Sequence, residues 1–504
     1  MRVVQGRVRI EGCNNANERE QRERERMPRL RMGARVASTL HLVYFRSAPS
    51  AHSHSHRQPA TLAYYQTCTH SRIRTRTHSE KTLETRLVTR ARKTDSCFSP
   101  SVTPLHPMPR FDSPGPYEDL VELKGIVETH RPAGEAGGTP RLSRLAVVAT
   151  LPATATPTSS AAPVPIVAFL GGFQSRASFY RPLARRLASH GFAVLQYTSP
   201  LLQIVPDAHE LPFLGAACGW LRGALNQQQQ EPAGAATAPV PLPLDWERAA
   251  VMGHSRGGKL AALHFARGFG VGAGGAEAAA GAAQTPRFRA CFLVDPVDNT
   301  PFTPESALYP SAVRAIRDLG ARFAPGSVPH PPPPPPLVPP PTSTTPVACA
   351  AAPPAPPPPP QPKVGIIAAG IIGPSNPAGS NWRLFARAAD EALPGSRTLV
   401  LPDAGHTSFF SAPPGGALGA TLIDAMFGGG KCTRESVLDR TAAAAVAWLD
   451  AEVGRQGGRG EGGGGDAGKE AGAREASWLE RLVAEGRAEV YAREKEAAAT
   501  VTAT

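Results

Sequence analysis

Residues 249–266 read AAVMGHSRGGKLAALHFA, and this stretch decides the fold. A short apolar run typical of a buried strand leads directly into GHSRG at 253–257, and a run with helical character follows at once. Gly-x-Ser-x-Gly between a strand and a helix predicts a sharp turn that exposes Ser255 at the edge of a sheet. Gly253 and Gly257 supply the very small residues that such a turn requires on either side of the serine. The alternative is a glycine-rich turn that contains an incidental serine.

The region around this turn, from about residue 116 to 455, alternates apolar runs with helical patterns. Several of the apolar runs are nearly continuous, as expected for strands buried on both faces of a parallel sheet. We therefore predict an α/β-hydrolase fold with a mostly parallel central sheet flanked by helices. The predicted strands are 145–150, 165–170, 192–197, 249–252, 290–294, 364–369 and 398–401, and the predicted helices are 179–189, 211–225, 259–267 and 311–323.

A serine hydroxyl becomes a useful nucleophile only when a base removes its proton. In this fold the residues follow the order serine, acid, histidine along the chain. His406 follows a predicted strand in the segment DAGHT at 403–407, which suits a general base, whereas His330 lies in a proline tract. Ser255 is thus the predicted nucleophile and His406 its predicted base.

The acid that orients the histidine has two candidates. Asp295 is the first residue after the predicted strand 290–294, and Asp298 follows three residues later. We favour Asp295, because it should lie at the same sheet edge as the serine, and keep Asp298 as the alternative. Asp403 is close to the histidine in sequence and is interpreted as a loop residue.

Acyl transfer also needs two N–H donors where negative charge develops on the substrate oxygen. The N–H of Arg256, directly after the nucleophile, is one candidate. The other should come from the loop GGFQ at 171–174, and we choose the N–H of Phe173. A tight strand-exit turn without a catalytic role is the alternative for this glycine pair.

Residues from about 115 to 453 resemble the chlorophyllases, esterases that remove phytol from chlorophyll. The most specific block is Asp-Pro-Val-Asp after a strand. The resemblance rests on Gly115-Pro116-Tyr117-Glu118, LASHGFAV at 187–194, GHSRGGK at 253–259, Val294-Asp295-Pro296-Val297-Asp298, Gly405-His406 and Cys432-Thr433-Arg434-Glu435.

The resemblance implies a triad of Ser255, Asp295 and His406 and a phytyl pigment as substrate. Two departures bear on substrate choice. The family has His-Gly-Phe where this chain has GGF at 171–173, and the residues after Asp298 read Asn-Thr-Pro rather than beginning with glycine.

Composition divides the chain into three parts. Residues 1–107 carry 20 Lys and Arg against 8 Asp and Glu, a net charge of +12 out of the chain's +13. We expect them to form a disordered basic arm, either a transit peptide or a translated upstream region before Met108. The hydrolase domain is expected at 108–455 with an exposed proline-rich insertion at 325–362, followed at 456–504 by a glycine-rich linker and a charged tail, helical or disordered.

Several function classes are disfavoured. The basic arm lacks the interleaved aromatic residues of nucleic-acid-binding folds, so no nucleic-acid partner is expected. Seven cysteines without a CxxC pair suit neither a disulfide framework nor a zinc site, and they fit a reducing compartment. No run of 18 apolar residues is present to span a membrane.

The predicted activity is hydrolysis of a hydrophobic carboxylic ester, chlorophyll or a related phytyl pigment, through an acyl-Ser255 intermediate. This chemistry requires neither a metal nor an organic cofactor. Contact with a membrane surface and a chloroplast location are expected, with the cytoplasm as the alternative location. Two other functions stay open: a general lipase or esterase, and a non-catalytic hydrolase-fold protein that binds pigment or acts as a scaffold.

Overall fold

The computed structural model describes the core of the predicted domain with several gaps. The basic arm at 1–107, the proline-rich insertion at 325–362 and the tail at 456–504 lie almost entirely outside the described residues. The described residues are 11–12, 113–131, 141–154, 162–200, 204–230, 239–271, 285–301, 303–324, 361–374, 381–411, 416–453, 480, 483–484 and 488–491.

The strands form a mixed sheet in the order β1-β2-β3-β5-β4-β7-β8-β9-β10-β11, with β6 paired to β3. The central strands from β5 to β10 run parallel, and the pairings at both edges are antiparallel. The strands are β1 Glu11–Gly12, β2 Leu120–Arg131, β3 Arg141–Thr154, β4 Val164–Leu170, β5 Ala193–Thr198, β6 Val240–Pro241, β7 Leu244–His254, β8 Phe288–Val294, β9 Val364–Ile371, β10 Arg397–Gly405 and β11 Glu489–Val490.

Helices connect and cover these strands, and each of the four predicted helices has a counterpart. No helix among the described residues is long and apolar enough to cross a membrane. The helices are α1 Arg181–Ser189, α2 Asp207–Gln230, α3 Arg256–Gly268, α4 Ala312–Phe323, α5 Trp382–Ala392, α6 Gly416–Phe427 and α7 Arg434–Val453, with short 3-10 helices at Ala177–Tyr180 and His406–Phe409.

The sheet separates two apolar cores. On strand β7, Val251 contributes to the core under α2–α5, and its neighbour Met252 contributes to the core under α1 and α7. Both side chains are fully buried, as expected where successive residues point to opposite covered faces of a parallel sheet. The strand order and the two helical layers make this an α/β-hydrolase fold, and the predicted fold class is confirmed.

Parallel strands bring the predicted functional residues to one edge of the sheet. Strands β4, β7, β8 and β10 all end at this edge because they run in the same direction. The segment 171–173 follows β4, Ser255 follows β7, Asp295 follows β8 and His406 follows β10. Residues far apart in sequence are therefore placed close together at the carboxyl ends of the strands.

Part of the charged tail adds to the sheet, which differs from the expected helix or disorder. Residues Glu489–Val490 pair antiparallel with β10. The ring of Tyr491 packs edge-on against Trp382, with 5.4 Å between the ring centroids. This short segment extends the sheet because it pairs with the edge of β10 and because its aromatic ring packs on the domain. The helical propensity of the tail does not predict either contact.

Helix α3 contains a buried histidine, His264, and we expect it to make the folded protein less stable at acidic pH. Burial, together with the nearby charge of Arg267, lowers the pKa of His264 from 6.5 to about 3. The unfolded chain binds a proton on this residue near pH 6.5 while the folded protein does not, so stability falls as pH drops below that value. One such histidine should reduce the unfolding free energy by about 2 kcal/mol between pH 8 and pH 5.

Replacing the histidine by leucine should therefore flatten the pH dependence. We expect the loss of unfolding free energy between pH 8 and pH 5, measured by urea denaturation, to be smaller in His264→Leu than in the unmodified protein. Equal losses in the two proteins would show that this residue titrates normally in the folded state.

Candidate active site

Ser255 lies at the turn between β7 and α3 with an unusual backbone conformation. Its φ of 58° and ψ of −125° lie in a region that costs a non-glycine residue about 1–3 kcal/mol. The turn is possible because glycine has no Cβ atom. A Cβ on Gly253 would lie 2.2 Å from the carbonyl oxygen of Gly257, and a Cβ on Gly257 would lie 2.2 Å from the carbonyl oxygen of Leu170. The two glycines therefore permit the close approach that holds the serine at the sheet edge.

His406 contacts both of its predicted partners. Its Nε2 lies 2.9 Å from the Oγ of Ser255, and its Nδ1 lies 2.5 Å from the Oδ2 of Asp295. A carboxylate only accepts hydrogen bonds, so Nδ1 carries the proton and Nε2 is free to accept one from the serine hydroxyl. This arrangement has the geometry that general-base activation of a hydroxyl requires.

Asp295 is held rigidly where β8 ends. The residue is fully buried, and its φ of 40° lies in the left-handed region. Its N–H donates to the carbonyl of Ile367 at 2.7 Å, and its Oδ1 accepts from the N–H of Ala369 at 3.0 Å. Strand β9 thus fixes one carboxylate oxygen and leaves the other for His406.

Asp298, the alternative acid, has different partners. Its carboxylate accepts hydrogen bonds from the Ser311 hydroxyl at 2.6 Å and from the Ala312 N–H at 3.1 Å, at the start of α4. Lys259 lies 3.7 Å away. The structure therefore pairs His406 with Asp295, while Asp298 joins the amino terminus of a helix to a buried lysine.

The loop after β4 lies directly beside the nucleophile. A Cβ on Gly172 would lie 3.2 Å from the Cβ of Ser255. No described residue accepts a hydrogen bond from the N–H of Phe173, and Arg256 begins α3, where helix N–H groups lack acceptors within the helix. Both predicted donors therefore have backbone N–H groups to offer, and their role in holding an oxyanion stays a prediction.

The side chain of Arg256 is held in a buried ionic cluster that sequence patterns do not indicate. Its guanidinium contacts Asp207 at 2.8 Å and Glu210 at 2.5 Å, and it donates to the carbonyl of Val205 at 2.6 Å. Lys259 adds a second cation 2.7 Å from Asp207. The cluster joins the start of α2 to the start of α3, immediately after Ser255.

The loop that carries the histidine is held by charged residues near α7. Arg434 donates to the carbonyl of Thr407 at 2.7 Å and to the carboxylate of Asp424 at 2.7 Å. Asp403 pairs with Arg440 at 2.9 Å and not with His406, but it lies within β10 and is not the loop residue that the sequence suggested. These contacts give a structural reason for the Cys-Thr-Arg-Glu block that precedes and begins α7.

Two further residues next to the site, His254 and Tyr180, carry no functional signal in the sequence. His254 lies against aromatic rings, with its ring centroid 4.8 Å from that of His406. Its Nδ1 is 2.9 Å from the hydroxyl of Tyr180. Tyr180 belongs to no sequence motif, and only the three-dimensional structure places it here.

No group of three or more histidine, cysteine or acidic side chains suited to a metal ion occurs among the described residues. Cys218 and Cys291 are buried free thiols, and burial raises the pKa of Cys218 to about 12. Burial also raises the pKa of Cys291 well above its usual value. Both thiols are therefore protonated at neutral pH and act as apolar core residues.

Comparison with known proteins bears on both fold and activity. Residues 146–310 match the family model described as Chlorophyllase, a segment that contains Ser255 and Asp295 but ends before His406. None of the curated proteins compared with this chain matches it. The resemblance seen in the sequence is thus confirmed over that segment.

Solved structures of esterases are among the similar folds. A ferulic acid esterase from Streptomyces cinnamoneus is 15% identical, with 73% of this chain and 97% of that chain covered and a TM-score of 0.36. A protein assigned as a carboxylesterase from Lactobacillus plantarum WCFS1 is 13% identical, with 55% and 86% covered and a TM-score of 0.33. At these scores the fold assignment rests on the strand order described above.

The family match and the fold together make this chain a carboxylic ester hydrolase. The predicted enzyme class is confirmed.

Proposed function

We propose that this carboxylic ester hydrolase cleaves the phytyl ester of chlorophyll or of a related phytyl pigment. Ser255 is the nucleophile, His406 the general base and Asp295 the acid that orients the base. The observation that carries the proposal is the hydrogen-bonded series from Asp295 through His406 to Ser255, in a chain whose residues 146–310 match the Chlorophyllase model.

The geometry supports a two-step acyl transfer. As the Oγ of Ser255 attacks the ester carbonyl carbon, its proton passes to the Nε2 of His406, and Asp295 stabilises the resulting imidazolium. The N–H groups of Phe173 and Arg256 receive the oxyanion. The histidine then gives its proton to the departing alkoxide of phytol, which leaves the pigment acyl group on the serine. Water, deprotonated by the same histidine, releases the pigment acid and restores the hydroxyl.

Exposed apolar side chains near the site favour a hydrophobic ester. Phe173, which adjoins Gly172, is 48% exposed, and Met426 on α6 is 44% exposed. The neighbouring Phe427 stacks on His406, with 5.9 Å between ring centroids. Ile204, beside the carbonyl that holds Arg256, is also exposed. Such side chains would contact a long isoprenoid chain, and the same surface would contact a membrane that holds the pigment.

The full-length protein should release phytol from purified chlorophyll in detergent micelles. We expect kcat/KM for chlorophyll to exceed that for 4-nitrophenyl butyrate, 4-nitrophenyl palmitate and a triacylglycerol. The measurement is separation of the phytyl-free pigment from chlorophyll by solvent partition and chromatography, alongside release of nitrophenol and fatty acid.

A surface substitution provides a matched control. Met426→Gln should raise KM for chlorophyll several-fold with little change for 4-nitrophenyl butyrate, because only the long substrate reaches this side chain. Ile126→Gln replaces an apolar residue on β2 that is 58% exposed, and it should change neither KM. Faster cleavage of the acyl esters than of chlorophyll would favour a general lipase or esterase. Failure of a fluorophosphonate probe to label the folded protein would favour a non-catalytic binding protein.

A further inference from the structure

A continuous series of buried and part-buried hydrogen bonds joins the two loops on either side of Ser255. The N–H of Gly172 lies 3.1 Å from the hydroxyl of Tyr180, and that hydroxyl lies 2.9 Å from the Nδ1 of His254. The Nε2 of His254 lies 3.1 Å from the main-chain carbonyl of His406. We call this series, from Gly172 through Tyr180 and His254 to His406, the Tyr180–His254 bridge.

The chemistry of its end groups fixes the direction of every hydrogen bond in the bridge. A carbonyl only accepts, so the Nε2 of His254 carries the proton and donates to His406. In the neutral ring Nδ1 must then accept, and it accepts the hydroxyl proton of Tyr180. The Tyr180 hydroxyl uses its proton in the hydrogen bond to His254. Its oxygen accepts hydrogen bonds from the N–H of Gly172 and from Ser175.

Burial favours the protonation states of Tyr180 and His254 that these hydrogen-bond directions require. Burial holds the pKa of His254 well below its usual value of 6.5, so the ring stays neutral at neutral pH. Burial raises the pKa of Tyr180 to about 12, so the hydroxyl keeps its proton. The two side chains are at most 2% exposed, which leaves solvent little opportunity to compete for these hydrogen bonds.

Each end of the bridge adjoins a group that the proposed mechanism uses. Gly172 directly precedes Phe173, whose N–H is the proposed oxyanion donor. At the other end, the bridge holds the main chain of the proposed general base. Neither Tyr180 nor His254 is assigned a proton-transfer step, so both can affect the reaction only through the groups that they hold.

We propose that Tyr180 and His254 are positioning residues that fix the oxyanion loop and the general base relative to each other across the nucleophile. The inference rests on the proposed ester hydrolysis at Ser255. A displacement of about 1 Å in either group can cost on the order of a hundredfold in rate, so a rigid connection between them has a direct catalytic effect.

The variant Tyr180→Phe tests the bridge, because it keeps the buried ring and removes only the hydroxyl. We expect kcat for 4-nitrophenyl butyrate to fall about tenfold to a hundredfold with little change in KM. His254→Gln should behave similarly, since its amide can still donate to the His406 carbonyl but cannot reproduce the link to Tyr180. If the bridge acts as a unit, the double variant should be no slower than the slower single variant.

Comparing an ester with its thionoester analogue distinguishes displaced oxyanion donors from a general loss of packing. Sulfur is a weaker hydrogen-bond acceptor than oxygen, so well-placed oxyanion donors favour 4-nitrophenyl butyrate over its O-thiono analogue. Displaced donors discriminate less, and we expect the ratio of kcat/KM values for the two esters to fall about tenfold in both variants. Val194→Ala, which removes buried volume from the same apolar core, should lower the melting temperature and leave the ratio unchanged.

The outcomes distinguish this inference from the proposed function. If the unmodified protein cleaves neither these two esters nor chlorophyll, the proposed function fails and the inference fails with it. If the unmodified protein is active and both variants keep its kcat, the inference alone is overturned. A lower kcat with an unchanged oxygen-to-sulfur ratio also overturns it, because loss of packing would then account for the effect. Should Tyr180→Phe not fold, His254→Gln carries the same test.

Discussion

Replacing Ser255 by alanine should lower kcat for any ester substrate by about four to six orders of magnitude. Without the hydroxyl no acyl intermediate forms, and His406 has no proton to remove. Substrate binding and the oxyanion donors would remain, so a small rate above that in water should persist. The melting temperature should change little, since alanine meets the same backbone requirement at this turn and only one hydrogen bond, to the histidine, is lost.

Two measurements check this expectation. Initial rates on 4-nitrophenyl butyrate give kcat, and a fluorophosphonate probe followed by peptide mass spectrometry identifies the labelled residue. Ser143→Ala removes a buried serine from β3, far along the chain from the turn, and should keep both activity and labelling. If Ser255→Ala kept more than about a tenth of the original kcat, another residue would be the nucleophile.

The fold and the nucleophile could be predicted because their signals are local. A strand, a turn with two glycines and a helix follow one another within 18 residues around Ser255, and each has its own pattern in the sequence. The parallel sheet then determines where the ends of distant strands meet. This is why Asp295 and His406, separated by 111 residues, could be proposed as partners before the structure placed them together.

Other elements were missed because their patterns differ from those of the buried parallel strands. Strand β2 is buried at its start and partly exposed further along, with Leu123 fully buried and Ile126 58% exposed, so it is not a continuous apolar run. Helix α7 is buried along most of its length and contains a run of alanines, so it lacks a clear polar face. Continuous apolar runs and amphipathic spacing, the two patterns used for the prediction, therefore identify neither β2 nor α7.

The residues that surround the site could not be found from the sequence for a different reason. Tyr180 and His254 are 74 residues apart, and Arg256 is 46 residues from Glu210. Such contacts depend on how separate loops pack at the sheet edge, and no spacing rule links them. The sequence could not decide between Asp295 and Asp298 for the same reason. The pairing with His406 depends on the backbone conformation at Asp295, where φ is 40°, and not on sequence distance.

Replacing Asp295 by asparagine should lower kcat by about four orders of magnitude. The asparagine carbonyl oxygen can still accept the N–H of Ala369, which directs its amide N–H₂ toward His406. An amide N–H₂ only donates, so the Nδ1 of the histidine would have to accept and its proton would move to Nε2. The histidine would then present a proton to Ser255 instead of an acceptor, and it could not act as the base.

Asp298→Asn is the matched comparison, because it makes the same chemical change three residues away. Its carbonyl oxygen can still accept from the start of α4, but its charge no longer balances Lys259, so the main loss should be stability rather than rate. We expect kcat within about tenfold of the original and a lower melting temperature. Rates measured at saturating 4-nitrophenyl butyrate, with thermal denaturation of both variants, separate the two residues. The reverse order of kcat values would assign the acid to Asp298, and it would mean that the hydrogen bond between Asp295 and His406 does not operate during the reaction.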